Sequence, residues 1–271
     1  MPTGGKVVLI TGATRGIGFA VAEALARRGH VVYGAGRGRT DAAKTSARRI
    51  VLDVTDADAV RETLARILGE QGRLDILINN AGIGQCGAVE DTSLETARKV
   101  FETNYFALLG MVRAVLPVMR RQGGGVIANI SSASGRIGIP FQAQYAASKF
   151  AVEGLTEALY HEVKPWGVRV LLIEPGDVGT TIWAGTEKPS VSDSAYGPAL
   201  RRFLAVKEEE MGARADAPER VAEEIAAAVL SEGGRFRFPV ARMAGVILLA
   251  RKLLPDRIFL KLIARNYRLD P

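Results

Sequence analysis

Residues 6–36 read KVVLITGATRGIGFAVAEALARRGHVVYGAG, and this stretch decides the fold. A short apolar run ends in Gly12-Ala-Thr-Arg-Gly16-Ile-Gly18, and the alanine-rich stretch that follows, to about Arg28, has the composition of a helix. A second apolar run comes next, so the segment predicts a βαβ unit. Glycines at a strand-to-helix turn let a phosphate approach the backbone and the unpaired N–H groups of the helix. The unit favours a dinucleotide site over a purely structural turn, although the Gly-x-x-x-Gly-x-Gly spacing differs from the standard fingerprint.

The end of the second predicted strand bears on the choice of cofactor. An NAD site usually places an Asp or Glu there, which hydrogen-bonds the ribose 2′-hydroxyl. Here the sequence is Gly34-Ala35-Gly36-Arg37, without a carboxylate, and Arg15 lies inside the glycine turn. Two guanidinium groups suit a 2′-phosphate, whereas the alternative is that both arginines are solvated surface residues. We therefore expect NADP(H) as the cofactor.

Strand-like and helical stretches alternate through the rest of the chain. Apolar strands are predicted at residues 49–54, 74–79, 126–130 and 168–173, with helices through about residue 68 and over about 94–120 and 145–163. Residues 235–240 alternate like an edge strand and would complete a seven-stranded sheet. Nearly all-apolar strands separated by helices predict a parallel sheet covered on both faces, which is a doubly wound α/β (Rossmann) fold. No linker or repeat divides residues 1–271, so we expect a single domain.

Tyr145-Ala-Ala-Ser-Lys149 opens the helix that follows the fifth strand. Tyr145 and Lys149 are four residues apart, so the phenol and the ammonium group share one helix face. A neighbouring cation lowers the pKa of a phenol from about 10, which prepares it for proton transfer near neutral pH. A tyrosine and a lysine at this spacing are otherwise usually a surface pair, so the interpretation depends on the rest of the chain.

Taken together, the motifs resemble the classical short-chain dehydrogenase/reductase family over about residues 5–180. The shared motifs, in the family's order, are the turn of Gly12, Gly16 and Gly18, then Asp53, Asn79-Asn80-Ala81-Gly82, Asn104, Ser132, Tyr145, Lys149 and Pro175-Gly176. The YAASKFAVEGL stretch and the Gly36-Arg37 turn look most like the NADP-preferring branch of hydroxysteroid and retinol dehydrogenase-like enzymes. The resemblance implies an enzyme that transfers a hydride between NADP(H) and a carbonyl or secondary alcohol group.

The resemblance also implies a role for each site residue. Tyr145 would exchange a proton with the substrate oxygen, and Lys149 would lower the pKa of Tyr145 and bind the nicotinamide ribose. Ser132 would hydrogen-bond the same oxygen, and Asn104 would hold the backbone and water that link Lys149 to solvent. The expected cofactor-binding residues are Gly12, Thr14, Arg15, Gly16, Ile17, Gly18, Arg37, Asp53, Val54, Asn80, Ala81, Gly82, Tyr145, Lys149, Pro175, Gly176, Val178 and Thr180 (or Thr181 in place of Thr180).

Two regions are expected to define the substrate. The loop after Ser132 offers Ile139 and Phe141 as an apolar wall, and residues 182–217, here called the lid segment, are typical of a mobile cover. The expected substrate contacts are Ser132, Ile139, Phe141, Tyr145 and Trp183. An apolar wall favours a lipophilic ketone or alcohol, such as a steroid, retinoid or other hydrophobic carbonyl compound. The alternatives are a β-ketoacyl thioester reductase of the same fold and a non-catalytic NADP-binding sensor or scaffold.

Composition limits the partners and the location. With one cysteine and two histidines, neither an internal disulfide nor a protein-built metal site is expected. The first residues show no basic-then-apolar leader, and no apolar run reaches the length of a membrane span, which favours a cytoplasmic location. The long helices at 94–120 and 145–163 are expected to form a homodimer or homotetramer.

Residues 241–271 predict a basic amphipathic extension. Residues 235–271 hold nine Lys and Arg against two Asp, which equals the whole net charge of +7. The body shows no recognition helix, zinc-finger spacing or basic stripe with stacking aromatic residues, so nucleic-acid binding is not expected. Apolar residues recur at helical spacing, and Pro255 divides the extension into two helices. This composition is typical of a helix that contacts a membrane surface or a lipid substrate. The sequence favours the alternative, in which the apolar face closes the substrate pocket or packs on a neighbouring subunit.

Overall fold

The computed structural model describes residues 5–38, 45–186, 188–189 and 194–270, so residues 187 and 190–193 of the lid segment lie outside it. The described residues form a seven-stranded sheet whose order is β3-β2-β1-β4-β5-β6-β7. The strands are β1 (Val7–Thr11), β2 (Val31–Gly36), β3 (Arg48–Val51), β4 (Ile76–Asn79), β5 (Gly125–Ile130), β6 (Val168–Pro175) and β7 (Arg237–Val240). Neighbouring strands all pair in parallel, which confirms the doubly wound α/β fold.

Helices cover both faces of this sheet. They are α1 (Gly16–Arg27), α2 (Ala57–Gln71), α3 (Leu94–Phe101), α4 (Ala107–Gln122), α5 (Ala143–Val163), α6 (Thr181–Ala184), α7 (Gly197–Glu209), α8 (Pro218–Leu230), α9 (Ala244–Leu253) and α10 (Asp256–Asn266). Successive strand residues point to opposite faces, so Val8 and Ile10 pack with α1 and α8 while Val7 and Leu9 pack with α2, α4 and α5. No helix in the described part of the chain is long and apolar enough to cross a membrane.

A third apolar cluster lies beneath the lid segment. Phe203, on α7, is fully buried, and its ring centroid lies 5.4 Å from that of Phe141, 6.2 Å from that of Trp183 and 5.0 Å from that of Tyr267. Phe259 of α10 belongs to the same cluster. The C-terminal helices therefore pack against the lid segment, and Pro255 separates them as expected.

Two predicted elements end differently in the structure. The predicted helix over residues 94–120 is interrupted by a π-helical segment, Glu102–Phe106, between α3 and α4. Such segments insert an extra residue into a helical turn, and here the segment contains Asn104, which is 1% exposed. The strand predicted to reach Val54 ends at Val51, because the Asp53 carboxylate accepts bonds from the Thr55 N–H (3.0 Å) and hydroxyl (2.7 Å) and turns the chain.

Candidate active site

Tyr145 lies in the first turn of α5, next to the loop that follows β5. Burial raises the pKa of the Tyr145 phenol above its ordinary value, against the opposing effects of a hydrogen bond with Ser132 and the charge of Lys207. The charge of Asp177 adds to the increase. Tyr145 is therefore protonated at neutral pH, and the expectation that Lys149 lowers the pKa of Tyr145 is wrong. Burial raises this pKa, and the cation that opposes burial is Lys207 and not Lys149.

Lys149 is held one helical turn further along the same face of α5. Its Nζ donates a hydrogen bond of 2.8 Å to the Ile130 carbonyl and lies 5.9 Å from the centroid of the Tyr145 ring. Burial lowers the pKa of Lys149 to about 8, although the charge of Glu153 opposes the change. The ammonium group thus faces the end of β5, and its pKa lies in the range where it can exchange a proton.

Asn104 connects two walls of the site through its side-chain amide. Its Oδ1 accepts a bond of 2.8 Å from the Ile83 N–H, and its Nδ2 donates to the Ile83 carbonyl and to the Ser148 Oγ, both at 3.0 Å. The Ser148 hydroxyl in turn donates to the Tyr145 carbonyl at 2.7 Å. Asn104 therefore positions the loop after β4 against the first turn of α5, which carries Tyr145.

The glycine turn forms the opposite end of the site. Gly12 and Gly16 have φ angles of +66° and +60°, a conformation that other residues rarely adopt. A Cβ atom at Gly12 would lie 2.8 Å from the Ala81 Cα, so only glycine fits at this position. Asn80 holds this approach, because its Nδ2 donates to the carbonyls of Thr11 (2.9 Å) and Gly12 (3.1 Å). The bare turn before α1 fits a diphosphate.

Gly36 explains the missing carboxylate at the end of β2. A Cβ atom at this position would lie 2.6 Å from the Thr14 Cγ2, so an acidic side chain would require the Thr14 side chain to move. Arg15 and Arg37 are both exposed beside it. The pKa of Asp53 is lowered by its hydrogen bonds with Thr55 and by the charge of Arg37. This end of the site carries positive charge with no acid at the ribose position.

The two ends belong to one cavity of about 540 Å³. The predicted residues that line it are Gly12, Thr14, Arg15, Gly16, Ile17, Arg37, Asp53, Val54, Asn80, Ala81, Gly82, Ser132, Tyr145, Lys149, Pro175, Gly176, Val178, Thr180 and Trp183. A bare phosphate turn at one end and a phenol, a hydroxyl and an ammonium group at the other fit a nicotinamide dinucleotide and a carbonyl substrate.

Besides Asn104, three predicted residues lie behind this surface. Gly18 is buried in α1 against the glycine turn, where a Cβ atom would clash with the Asn80 side chain. Ile139 and Phe141 belong to the apolar cluster beneath the lid segment, since their side chains pack towards Phe203. They support the substrate wall and do not form its surface.

Sequence reasoning missed Asp177 and Lys207, which both line the cavity. Lys207 is 6% exposed, and its Nζ lies 2.9 Å from the Asp177 Oδ1 and 2.9 Å from the Glu210 Oε2. Burial alone would lower the pKa of Lys207, but Tyr267 and the two carboxylates hold this pKa above its ordinary value. Helical spacing could have indicated its position, because Lys207 follows Phe203 by four residues on the buried face of α7.

Comparisons with known proteins agree with this geometry. A family profile described as short chain dehydrogenase matches residues 6–190. The 3-ketodihydrosphingosine reductase of Bacteroides thetaiotaomicron is 39% identical over 261 residues, covering 93% of this chain and 94% of that protein. A short chain dehydrogenase from Burkholderia cenocepacia, solved in complex with NADP, is 29% identical with a TM-score of 0.77 over 100% of both chains. One from Burkholderia phymatum, solved in complex with NAD, is 27% identical with a TM-score of 0.78 over 96% of both chains.

Proposed function

The chain belongs to the short-chain dehydrogenase family, and from that premise we propose that it is an NADP(H)-dependent oxidoreductase acting on a lipophilic ketone or secondary alcohol. The observation that carries the proposal is the single cavity that joins the glycine turn to Tyr145, Ser132 and Lys149. When bound, the nicotinamide supplies or accepts the hydride, and the protein supplies orientation and proton transfer.

The catalytic roles follow from the protonation state of each group. The raised pKa of Tyr145 keeps its phenol protonated at neutral pH, so Tyr145 donates a proton to the carbonyl oxygen during reduction. Ser132 accepts a bond of 3.1 Å from the Ser134 N–H, which leaves the Ser132 hydroxyl hydrogen to bond the same oxygen. Lys149, with a pKa of about 8, takes part in restoring the proton of Tyr145.

The preference for NADP(H) rests on the residues around Gly36. An acid that could bind the ribose 2′-hydroxyl is absent from this position, where any Cβ atom would displace the Thr14 side chain, and Arg15 and Arg37 line the cavity beside it. Guanidinium groups bind phosphate through charge-assisted hydrogen bonds, so a 2′-phosphate suits this end better than a free hydroxyl group.

The substrate class that we propose is a long-chain keto base. The relative from Bacteroides thetaiotaomicron supports this class through its name, because dihydrosphingosine is a long-chain amino alcohol. The cavity also borders the aromatic cluster around Phe203, through the shared residue Trp183. Steroid, retinoid and β-ketoacyl thioester carbonyls serve as the competing substrates in the test.

We propose a cytoplasmic location with peripheral membrane contact through α9 and α10. Leu248 and Phe259 are buried, Phe259 in the cluster around Phe203, whereas Leu249, Leu253 and Leu260 are 56%, 69% and 63% exposed. Exposed leucines with interleaved Lys and Arg form a surface that suits anionic lipid, where a long-chain substrate would reside.

We also propose that the chain forms a homodimer or homotetramer. Phe106 and Phe150 lie in the helices predicted to form the interface, and their side chains are 52% and 47% exposed. Light scattering of the purified chain tests it, and a species of 29.0 kDa at micromolar concentration would contradict it.

The test of the proposed activity is NADPH consumption by the purified chain. Rates are compared for 3-ketodihydrosphingosine, a steroid ketone, a retinoid and a β-ketoacyl thioester. We expect the long-chain keto base to give the highest kcat/KM. Preferential use of the thioester would favour the β-ketoacyl reductase, and NADPH binding without turnover of any carbonyl would favour the sensor.

A further inference from the structure

A charged cluster in the cavity wall has no part in the proton-transfer roles described above. It consists of Asp177, Lys207 and Glu210, and it lies where the lid segment meets the loop after β6. Lys207 and Glu210 are more than nine-tenths buried, whereas the Asp177 side chain is 38% exposed. Asp177 and Lys207 line the cavity, and both charges act on the Tyr145 phenol. The cluster therefore shares one cavity with the proton donor.

The balance of charge in this cluster favours a cation. Two carboxylates lie 2.9 Å from one ammonium group, which leaves one net negative charge beside the cavity. The Asn266 amide donates a bond of 3.0 Å to the Glu210 Oε1, so Glu210 is committed to the contact between α7 and α10. Asp177 is the carboxylate that reaches the cavity. An excess of negative charge beside the cavity disfavours an anionic substrate and favours an ammonium group.

Trp183 provides a second, independent indication of a polar ligand at the same wall. It is 8% exposed and lines the cavity, and its indole N–H has no acceptor among the described residues. A buried N–H group usually has a partner, because leaving it unpaired is costly. An indole N–H only donates, so the missing partner must be an acceptor such as a hydroxyl oxygen.

We infer that Asp177 and Trp183 bind the polar head of the substrate, with Asp177 receiving an ammonium group next to the ketone and Trp183 donating to a neighbouring hydroxyl. This inference rests on the proposed function and assigns the substrate class as an amino ketone with a hydroxyl group. Lys207 fixes the Asp177 carboxylate at the edge of the cavity, and Glu210 anchors Lys207. The site thereby distinguishes an amino ketone from a plain ketone of the same chain length.

Binding to the wild-type protein tests the inference without requiring turnover. Dihydrosphingosine and its analogue without the amine are titrated against the protein with NADP, and quenching of tryptophan fluorescence is recorded. We expect the amino alcohol to bind at least tenfold more tightly, as a charge-assisted hydrogen bond implies. Equal affinities would overturn the inference, whatever the variants do.

Two variants assign the preference to the cluster. Asp177→Asn should reduce the affinity ratio between the amino and des-amino compounds by about tenfold. Glu209→Gln is the matched control, because Glu209 is the outward neighbour of Glu210, pairs with Arg268 and does not line the cavity. An unchanged ratio in Asp177→Asn contradicts the inference. A preserved preference for the amine with no reduction of the ketone would instead refute the proposed function alone.

Discussion

The two ends of the cavity are built in different ways. The glycine-turn end consists of short continuous motifs, with Gly12 and Gly16 in one turn and Asn80 and Ala81 in another, and it is shaped by backbone. The lid end is shaped by side chains from widely separated segments, such as Trp183 and Lys207. A cofactor shared by many enzymes calls for a constant backbone cradle, whereas a particular substrate calls for side chains that are selected separately.

The largest effect is expected at Tyr145, where the two ends meet. Tyr145→Phe removes only the hydroxyl group, so we expect kcat to fall by about a hundredfold or more while NADPH binding survives. Single-turnover measurement of NADPH oxidation checks the loss in the chemical step. A variant that keeps more than a tenth of wild-type turnover, with chemistry rate-limiting, would contradict the role.

The matched control for this prediction is Tyr196→Phe. Tyr196 is 39% exposed at the start of α7, and its hydroxyl donates to Glu90 on the surface at 2.7 Å. Tyr196→Phe removes a hydroxyl group as Tyr145→Phe does, but from a residue outside the cavity, so turnover should stay close to that of the wild type.

Cofactor choice is the next largest effect and concerns the glycine-turn end alone. We expect NADPH to bind at least about tenfold more tightly than NADH at fixed salt, because the 2′-phosphate gains charge-assisted bonds. Arg37→Ala should remove most of that ratio, and Arg61→Ala, an exposed arginine on α2, should leave it unchanged. Fluorescence titration of both nucleotides gives the ratio, and tighter NADH binding in the wild type would refute the assignment.

The same division explains what the sequence could predict. The fold, the glycine turn and the Tyr145–Lys149 pair were accessible, because each depends on local spacing or on the order of strands, whereas Ser132 was assigned through the family resemblance. The contact between Asp177 and Lys207 was not accessible, since it joins the loop after β6 to the buried face of α7. The raised pKa of Tyr145 was also missed, because burial is a tertiary property that local spacing does not reveal.

A third prediction concerns the exposed face of α9 and α10, the helices that pack against the lid segment. Truncation would remove Phe259 and Tyr267, which pack beneath the lid segment, so point variants are the cleaner test. We expect the chain to co-sediment with anionic vesicles, and Leu253→Ser with Leu260→Ser to reduce the bound fraction severalfold. Binding should weaken as salt increases. A full-length chain that stays in the supernatant at low salt would leave only the packing role.

The last prediction asks whether the lid end influences chemistry at the cofactor end. Lys207→Met keeps most of the length of the side chain and removes its charge. The charge of Lys207 lowers the pKa of Tyr145 and that of Asp177 raises it, so the variant should raise this pKa further. Reduction requires the protonated phenol and oxidation the deprotonated one. The pH profiles of kcat/KM for both reactions should therefore move to higher pH. Reduction should stay active to a higher pH, and oxidation should become active only at a higher pH.

Asp177→Asn reverses the sign of this shift. It removes the charge that raises the Tyr145 pKa, so its profiles should move to lower pH, and by less, because Lys207 has the larger influence on the phenol. Glu209→Gln serves again as the control, since its charge lies on the outer surface, beside Arg268. Thermal unfolding and NADPH affinity show whether each variant is folded. Profiles that coincide with the wild type's in both variants would mean that the charged cluster acts only on substrate binding and does not reach the proton that Tyr145 transfers.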